Sequence, residues 1–171
     1  MDFENKRVNR ILDAWRTIAN DYPEWSLVLV GDGPHKPTLL KMIEQHNIPR
    51  VYTEGFQVDP PVRFFKDASI YMLTSDLEGF GLVITESMSF GVVPIVYGSY
   101  EAIYDIVEDK KSGFITPMPY SNDETVKYLR ILIENDSTRK NMAENAMARA
   151  KMFSLDSVVK QWYGLFNDVL K

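Results

Sequence analysis

The stretch SIYMLTSDLEGFGLVITE, residues 69–86, decides the fold. Ser69 to Thr74 is a short, nearly continuous apolar run, the pattern of a buried parallel strand. Leu82 to Phe90 carries apolar residues at helical spacing, and between the two lies a loop containing Gly79 and Gly81. A strand that enters a helix through a glycine-bearing loop is one unit of an alternating α/β chain.

Working outward, the same alternation recurs. Upstream, Val8, Ile11, Leu12, Trp15 and Ile18 repeat at helical spacing, and the pattern ends near Asp21-Tyr22-Pro23. Ser26 to Val30 reads as a buried strand closed by the turn Gly31-Asp32-Gly33-Pro34. A helix over Pro37 to His46 follows, with Leu39, Leu40 and Ile43 facing inward. Arg50 to Thr53 is the next strand and Pro61 to Lys66 a short helix. Downstream come a strand at Val92 to Val96, a helix at Ala102 to Glu108 and a short strand at Phe114 to Thr116. From Asp123 the chain is helical, with breaks near Asn135-Asp136-Ser137 and Phe153-Ser154, where Ser154 caps the last segment.

Connections this short imply a Rossmann-like parallel sheet with helices on both faces, followed by a helical C-terminal tail. Residues 1–171 read as one domain, without internal repeat or low-complexity linker. An alternating chain normally opens on a strand, whereas this one opens almost directly on a helix, so either a strand lies upstream in a longer parent or the sheet is one strand short. In such sheets ligands bind beyond the carboxyl ends of the strands.

Composition narrows the function classes. The chain has 171 residues, 45% hydrophobic and 25% charged, the make-up of a soluble globular protein. A formal net charge of -5 argues against nucleic acid as a partner. Without cysteine there are no disulfides and no thiol chemistry, which fits a cytoplasmic location. Neither a membrane span nor a signal peptide is legible, although a parent enzyme could reach a membrane surface through other parts.

The loop of residues 75–81 carries the chemistry. Gly79 and Gly81 let backbone approach a ligand closely, and the amides that open the next helix suit an anion such as phosphate. Glu78 and Glu86 stand eight positions apart, about 12 Å at helical rise. That is roughly the span from a sugar ring across a diphosphate to a ribose, and a carboxylate accepts hydrogen bonds from vicinal hydroxyls. Taken alone, the two glutamates read more readily as a solvated carboxylate and a surface helix residue.

Glu78-Gly79-Phe80-Gly81, Glu86 and the following Gly91-Val92-Val93-Pro94 resemble the E-x7-E region of retaining glycosyltransferases with the GT-B fold. Other segments resemble the same family in order: Leu29 to Pro34, Glu54-Gly55-Phe56, Glu101-Ala102-Ile103, Lys6 to Arg10 and the terminal Gln161-Trp162-Tyr163. The likeness covers essentially the whole chain as the family's C-terminal, donor-binding half.

By the resemblance, the ligand is a nucleoside-diphosphate sugar. Glu78 would hold donor-sugar hydroxyls and Lys6 would neutralise the leaving diphosphate. Gly79, Phe80, Gly81 and Leu82 would line the sugar and diphosphate, Glu86 would hold the ribose, and Phe56 and Gln57 would lie at the nucleobase. The residues themselves leave Phe56 equally readable as a core aromatic. No metal or other cofactor is expected, since no D-x-D pair is present and His35 and His46 lack ligand spacing.

The resemblance further implies a missing N-terminal acceptor-binding domain, a role in cell-surface polysaccharide or glycan synthesis, and an isolated half that is inactive. Three departures stand out. Arg7 replaces the family's glycine after the lysine, the strand and arginine expected upstream of Lys6 are absent, and Gly98-Ser99-Tyr100 replaces a more glycine-rich turn near the donor sugar. Tyr97, Tyr100 and Tyr104 read as packing residues. Two rivals stay open: a sugar-nucleotide epimerase half-domain, and a non-catalytic α/β interaction module.

Overall fold

The computed structural model describes residues 1–58 and 61–170. Strands and helices alternate in the expected order: α1 (Val8–Ile18), β1 (Leu27–Val30), α2 (Lys36–Gln45), β2 (Val51–Glu54), α3 (Val62–Asp67), β3 (Ile70–Leu73), α4 (Leu82–Ser89), β4 (Val93–Tyr97), α5 (Ala102–Ile106) and β5 (Phe114–Thr116). Three helices complete the chain: α6 (Asn122–Glu134), α7 (Asp136–Ala150) and, after a single 3-10 turn, α8 (Leu155–Val169). Side-chain oxygens of Ser121, Asn135 and Ser154 cap the starts of α6, α7 and α8.

Every strand pair is parallel, and β4 is buried along its whole length. Its side chains alternate between two helix layers, as the strand period of two requires. Val93 and Ile95 pack with Leu12, Ile18, Leu39 and Leu132. Val96 packs with Ile84, Met88, Ile103 and Ile106. Fully burying one such aliphatic side chain contributes about 1.5–3 kcal/mol, so these two layers hold the fold.

The sheet departs from a continuous one. Hydrogen bonding joins β1 to β2 and β3 to β4 and β5, but no ladder links β1 to β3 among the described residues. Residues 1–5 cross the carboxyl ends of that interruption. The Met1 amino group bonds the Asp32 carbonyl after β1, and the Asn5 carbonyl accepts from the Asp76 amide after β3 at 2.8 Å. Met1 backbone also fills the space where a Cβ on Gly33 would stand, which is why the Gly31-Asp32-Gly33 turn needs that glycine.

Three burial expectations are corrected. On β1 only Leu29 is buried, while Val28 and Val30 are exposed, as is Tyr52 on β2. The reason is one-sided cover: α1 and α2 both pack on the Leu29 face. Six-residue α3 packs elsewhere, placing Phe65 against Tyr71 and Phe90. Likewise β3 buries only Leu73. Leu40 also faces outward, leaving Leu39 as the buried residue of α2.

Candidate functional site

The loop after β3 and the segment before α1 are stitched together. Besides the Asn5–Asp76 backbone bond, Leu77 N–H donates to Asn5 Oδ1 (3.0 Å), and Thr74 Oγ1 donates to the Arg7 carbonyl (3.0 Å). This places Lys6 Nζ 2.6 Å from Glu78 Oε1. The Glu78 side chain is 13% exposed against 49% for Lys6, so Glu78 is held in place by its surroundings and is not a solvated surface carboxylate.

A second ion cluster lies beside the first. Asp76 receives Arg7 Nε at 2.5 Å and Arg10 Nη1 at 2.6 Å, and Arg10 Nη1 also donates to the Thr74 carbonyl at 2.9 Å. The Arg10 guanidinium stacks on the rings of Tyr97 and Tyr120, 4.9 and 4.6 Å from their centroids. Burial pushes the Asp76 carboxyl up, but the hydrogen bonds from Arg7 and Arg10 outweigh it and hold the group below the usual carboxylate range. Asp76 is thus occupied by two arginines.

Sequence reasoning missed this cluster, though it left a signal. Lys6, Arg7 and Arg10 crowd a helix start, where the dipole disfavours cations. Arg7 also adopts a left-handed conformation, φ 50° and ψ 41°, at the N-cap of α1. That is the conformation a glycine takes at least cost, and it accounts for the glycine that the resemblance places there.

The two glycines of the loop differ in their surroundings. Gly81 is the N-cap of α4 with φ 88°, and no side chain caps the first amides of that helix. A Cβ on Gly81 would come within 2.6 Å of the Tyr100 hydroxyl, whereas Gly79 has open space around it. Phe80 is partly exposed and meets Phe153 edge-on at 5.7 Å, and Leu82 is exposed.

Glu86, on the second turn of α4, is exposed and lines a shallow groove of about 500 Å³ against α7 together with Thr85, Ser89, Met147 and Lys151. Burial, with the charges of Glu78 and Glu86, raises the Tyr71 phenol. Phe56 is 74% exposed, which rules out the core-aromatic alternative. Gln57 Nε2 donates to the Gly55 carbonyl at 2.9 Å. Nothing in these contacts joins Phe56 or Gln57 to Glu78. Among the described residues no three His, Asp or Glu side chains converge as a metal-ligand set.

Residues 2–149 match the family model described as glycosyl transferases group 1. The chain belongs to that family. Family relatives include an uncharacterized glycosyltransferase of Haemophilus influenzae, 26% identical over 170 residues, covering 95% of this chain and 46% of that protein. The amylovoran biosynthesis glycosyltransferase AmsD of Erwinia amylovora is 24% identical over 166 residues, covering 95% of the chain and 45% of that protein. The chain therefore spans less than half the length of these two family members. Among solved structures, the pneumococcal O-GlcNAc transferase GtfA, crystallised with UDP and GlcNAc, superposes with a TM-score of 0.82 at 19% identity, over 96% of this chain and 33% of that one. The group 1 fold is thereby seen here as parallel strands flanked by helices, and no described helix is long and apolar enough to cross a membrane.

Proposed function

We propose that this chain is the donor-binding half of a retaining glycosyltransferase and holds a nucleoside-diphosphate sugar beyond the carboxyl ends of β3 and β4. The observation that carries the reading is the Lys6–Glu78 pair: a half-exposed ammonium and a partly buried carboxylate meet at 2.6 Å beside the uncapped start of α4. The two groups have complementary tasks on such a donor. Lys6 offers a compact positive charge to a diphosphate that becomes more negative as it leaves. Glu78 offers two oxygens to sugar hydroxyls. The uncapped amides of α4 favour the phosphate, and Glu86 lies on the same helix for the ribose.

The reaction is the one that the resemblance to retaining GT-B glycosyltransferases implies. An acceptor hydroxyl attacks the anomeric carbon from the face that the diphosphate leaves. The new C–O bond forms as the old one breaks, and the acceptor's proton passes to the departing phosphate oxygen. The configuration is kept, no protein nucleophile is required, and no metal is assigned. The acceptor domain lies outside this chain, so the isolated half binds donor without transferring it. The relatives that support this reading include an amylovoran biosynthesis glycosyltransferase, and a structural neighbour was crystallised with UDP. We place the whole enzyme in cell-surface polysaccharide or glycan synthesis, on the cytoplasmic side of the membrane.

Calorimetric titration with UDP, GDP, ADP and their sugar nucleotides tests the reading. Base-selective binding is expected, with Glu86→Ala weakening it about tenfold or more. Ligand at about 100 times its dissociation constant also stabilises the fold by roughly 2.7 kcal/mol. A well-folded chain that binds none of these nucleotides contradicts the proposal.

A further inference from the structure

Lys6 reaches its place from the backbone outward. Its side chain is long, flexible and half-exposed, so its own packing does not fix the ammonium. The backbone that carries it is fixed instead. Asp2 Oδ1 accepts from the Glu4 N–H at 2.7 Å and from the Asn5 N–H at 3.3 Å. The Asp2 carbonyl accepts from the Val8 N–H at 3.2 Å, which closes residues 2–8 into one turn. A turn held only by its own bonds would still be free to swing away from the loop after β3.

Asn5 joins the two. Its carbonyl accepts from the Asp76 N–H at 2.8 Å and its side-chain Oδ1 from the Leu77 N–H at 3.0 Å. Asn5–Leu77 and Lys6–Glu78 are consecutive contacts, each between residues 72 positions apart, so the side-chain bond at Asn5 sets the register in which the next pair meets. The other ties enter after Lys6: Thr74 Oγ1 donates to the Arg7 carbonyl, and Arg7 and Arg10 donate to Asp76. Among the described residues, Asn5 is the side chain that hydrogen-bonds this loop from the N-terminal side of Lys6. An amide oxygen does so without a second carboxylate beside Lys6, which would compete with Glu78 for the ammonium.

We infer that Asn5 is a positioning residue, which holds Lys6 where its ammonium meets both Glu78 and the diphosphate of the donor. The inference rests on the donor-site reading and goes beyond it. It adds a residue that touches no donor atom and acts on the diphosphate through Lys6.

A double-mutant cycle in the full chain of residues 1–171 tests this, read by calorimetry with whichever of UDP, GDP and ADP binds. Lys6→Ala should weaken that nucleotide about tenfold and Asn5→Ala about threefold. The two together should cost about tenfold, no more than Lys6→Ala alone, because Asn5 has nothing left to position. Glu86→Ala supplies the contrast. Its loss should multiply with that of Asn5→Ala to about thirtyfold, since Glu86 holds a different part of the ligand. A loss of about thirtyfold when Asn5→Ala is combined with Lys6→Ala would show a general structural role and overturn the assignment, leaving the donor site standing. So would an Asn5→Ala chain that binds as tightly as the unchanged one. A nucleotide affinity indifferent to Lys6→Ala, or a folded chain that binds none of the three nucleotides, overturns the assignment and the donor-site reading together.

Discussion

Two arginines three positions apart do different work at the start of α1. Arg10 has two acceptors and two aromatic faces around its guanidinium, and its side chain is 20% exposed. Arg7 has one ion pair, is more exposed, and holds a left-handed backbone. Arg10→Ala leaves the Thr74 carbonyl and one Asp76 oxygen without their partner and should cost about 2–3 kcal/mol, or roughly 5–10 °C in melting temperature. Arg7→Gly gives up a surface pair worth about 0–1 kcal/mol and relieves left-handed strain of about 1–2 kcal/mol. The two effects oppose, so its stability should stay within about 1 kcal/mol of the unchanged chain. Thermal melts of both variants distinguish an anchoring arginine from a replaceable one. Gly81→Ala combines a positive φ with a contact against the Tyr100 hydroxyl, and a loss of about 1–3 kcal/mol is expected.

Elements differ as sharply as residues. β4 is buried throughout, while α8 buries none of its residues and exposes Leu155, Trp162, Tyr163, Leu165, Phe166 and Val169. An isolated helix of that length is marginal in water. Its amides should therefore exchange with solvent orders of magnitude faster than those of β4, at a rate set by local opening instead of global unfolding. Hydrogen-exchange mass spectrometry over residues 155–170 checks this, and protection equal to that of β4 would show a packing partner for α8. The interruption between β1 and β3 belongs to the same scale. Alternation of strands and helices was legible because it is local, a period of two giving way to one of 3.6. The open face of Val28, Val30 and Tyr52 was not, because a strand's burial depends on whether a second helix layer reaches it. Here α3 is too short and packs toward Phe90.

Across the whole molecule, lowered carboxyls set the acid limit. Asp2 is lowered chiefly by the Glu4 amide, Asp32 by the Gly33 amide, Glu108 by Lys111 and Asp136 by Lys140. Asp76 joins them, its burial outweighed by its arginines. A carboxyl lowered on folding contributes stability that is fully present above its unfolded value, near 4, and is lost as pH falls through the folded value. Urea midpoints should accordingly hold from pH 7 to 5 and drop between pH 4 and 3, with a shallower drop in Asp76→Asn. A midpoint independent of pH over that range would contradict the ion-pair account.

The sequence by itself determined the order of elements, the parallel α/β class and the loop of residues 75–86, since each rests on periodicity, turn residues or a contiguous motif. It also named Lys6 and Glu78 separately. Only the tertiary structure brought them to 2.6 Å, gave Asp76 its two arginines, divided the sheet between β1 and β3 and left the Tyr100 hydroxyl unpartnered. These features join positions tens of residues apart along the chain. They depend on which face of each strand the helices cover and on how the first residues thread across the strand ends, and no local pattern of side chains encodes that geometry.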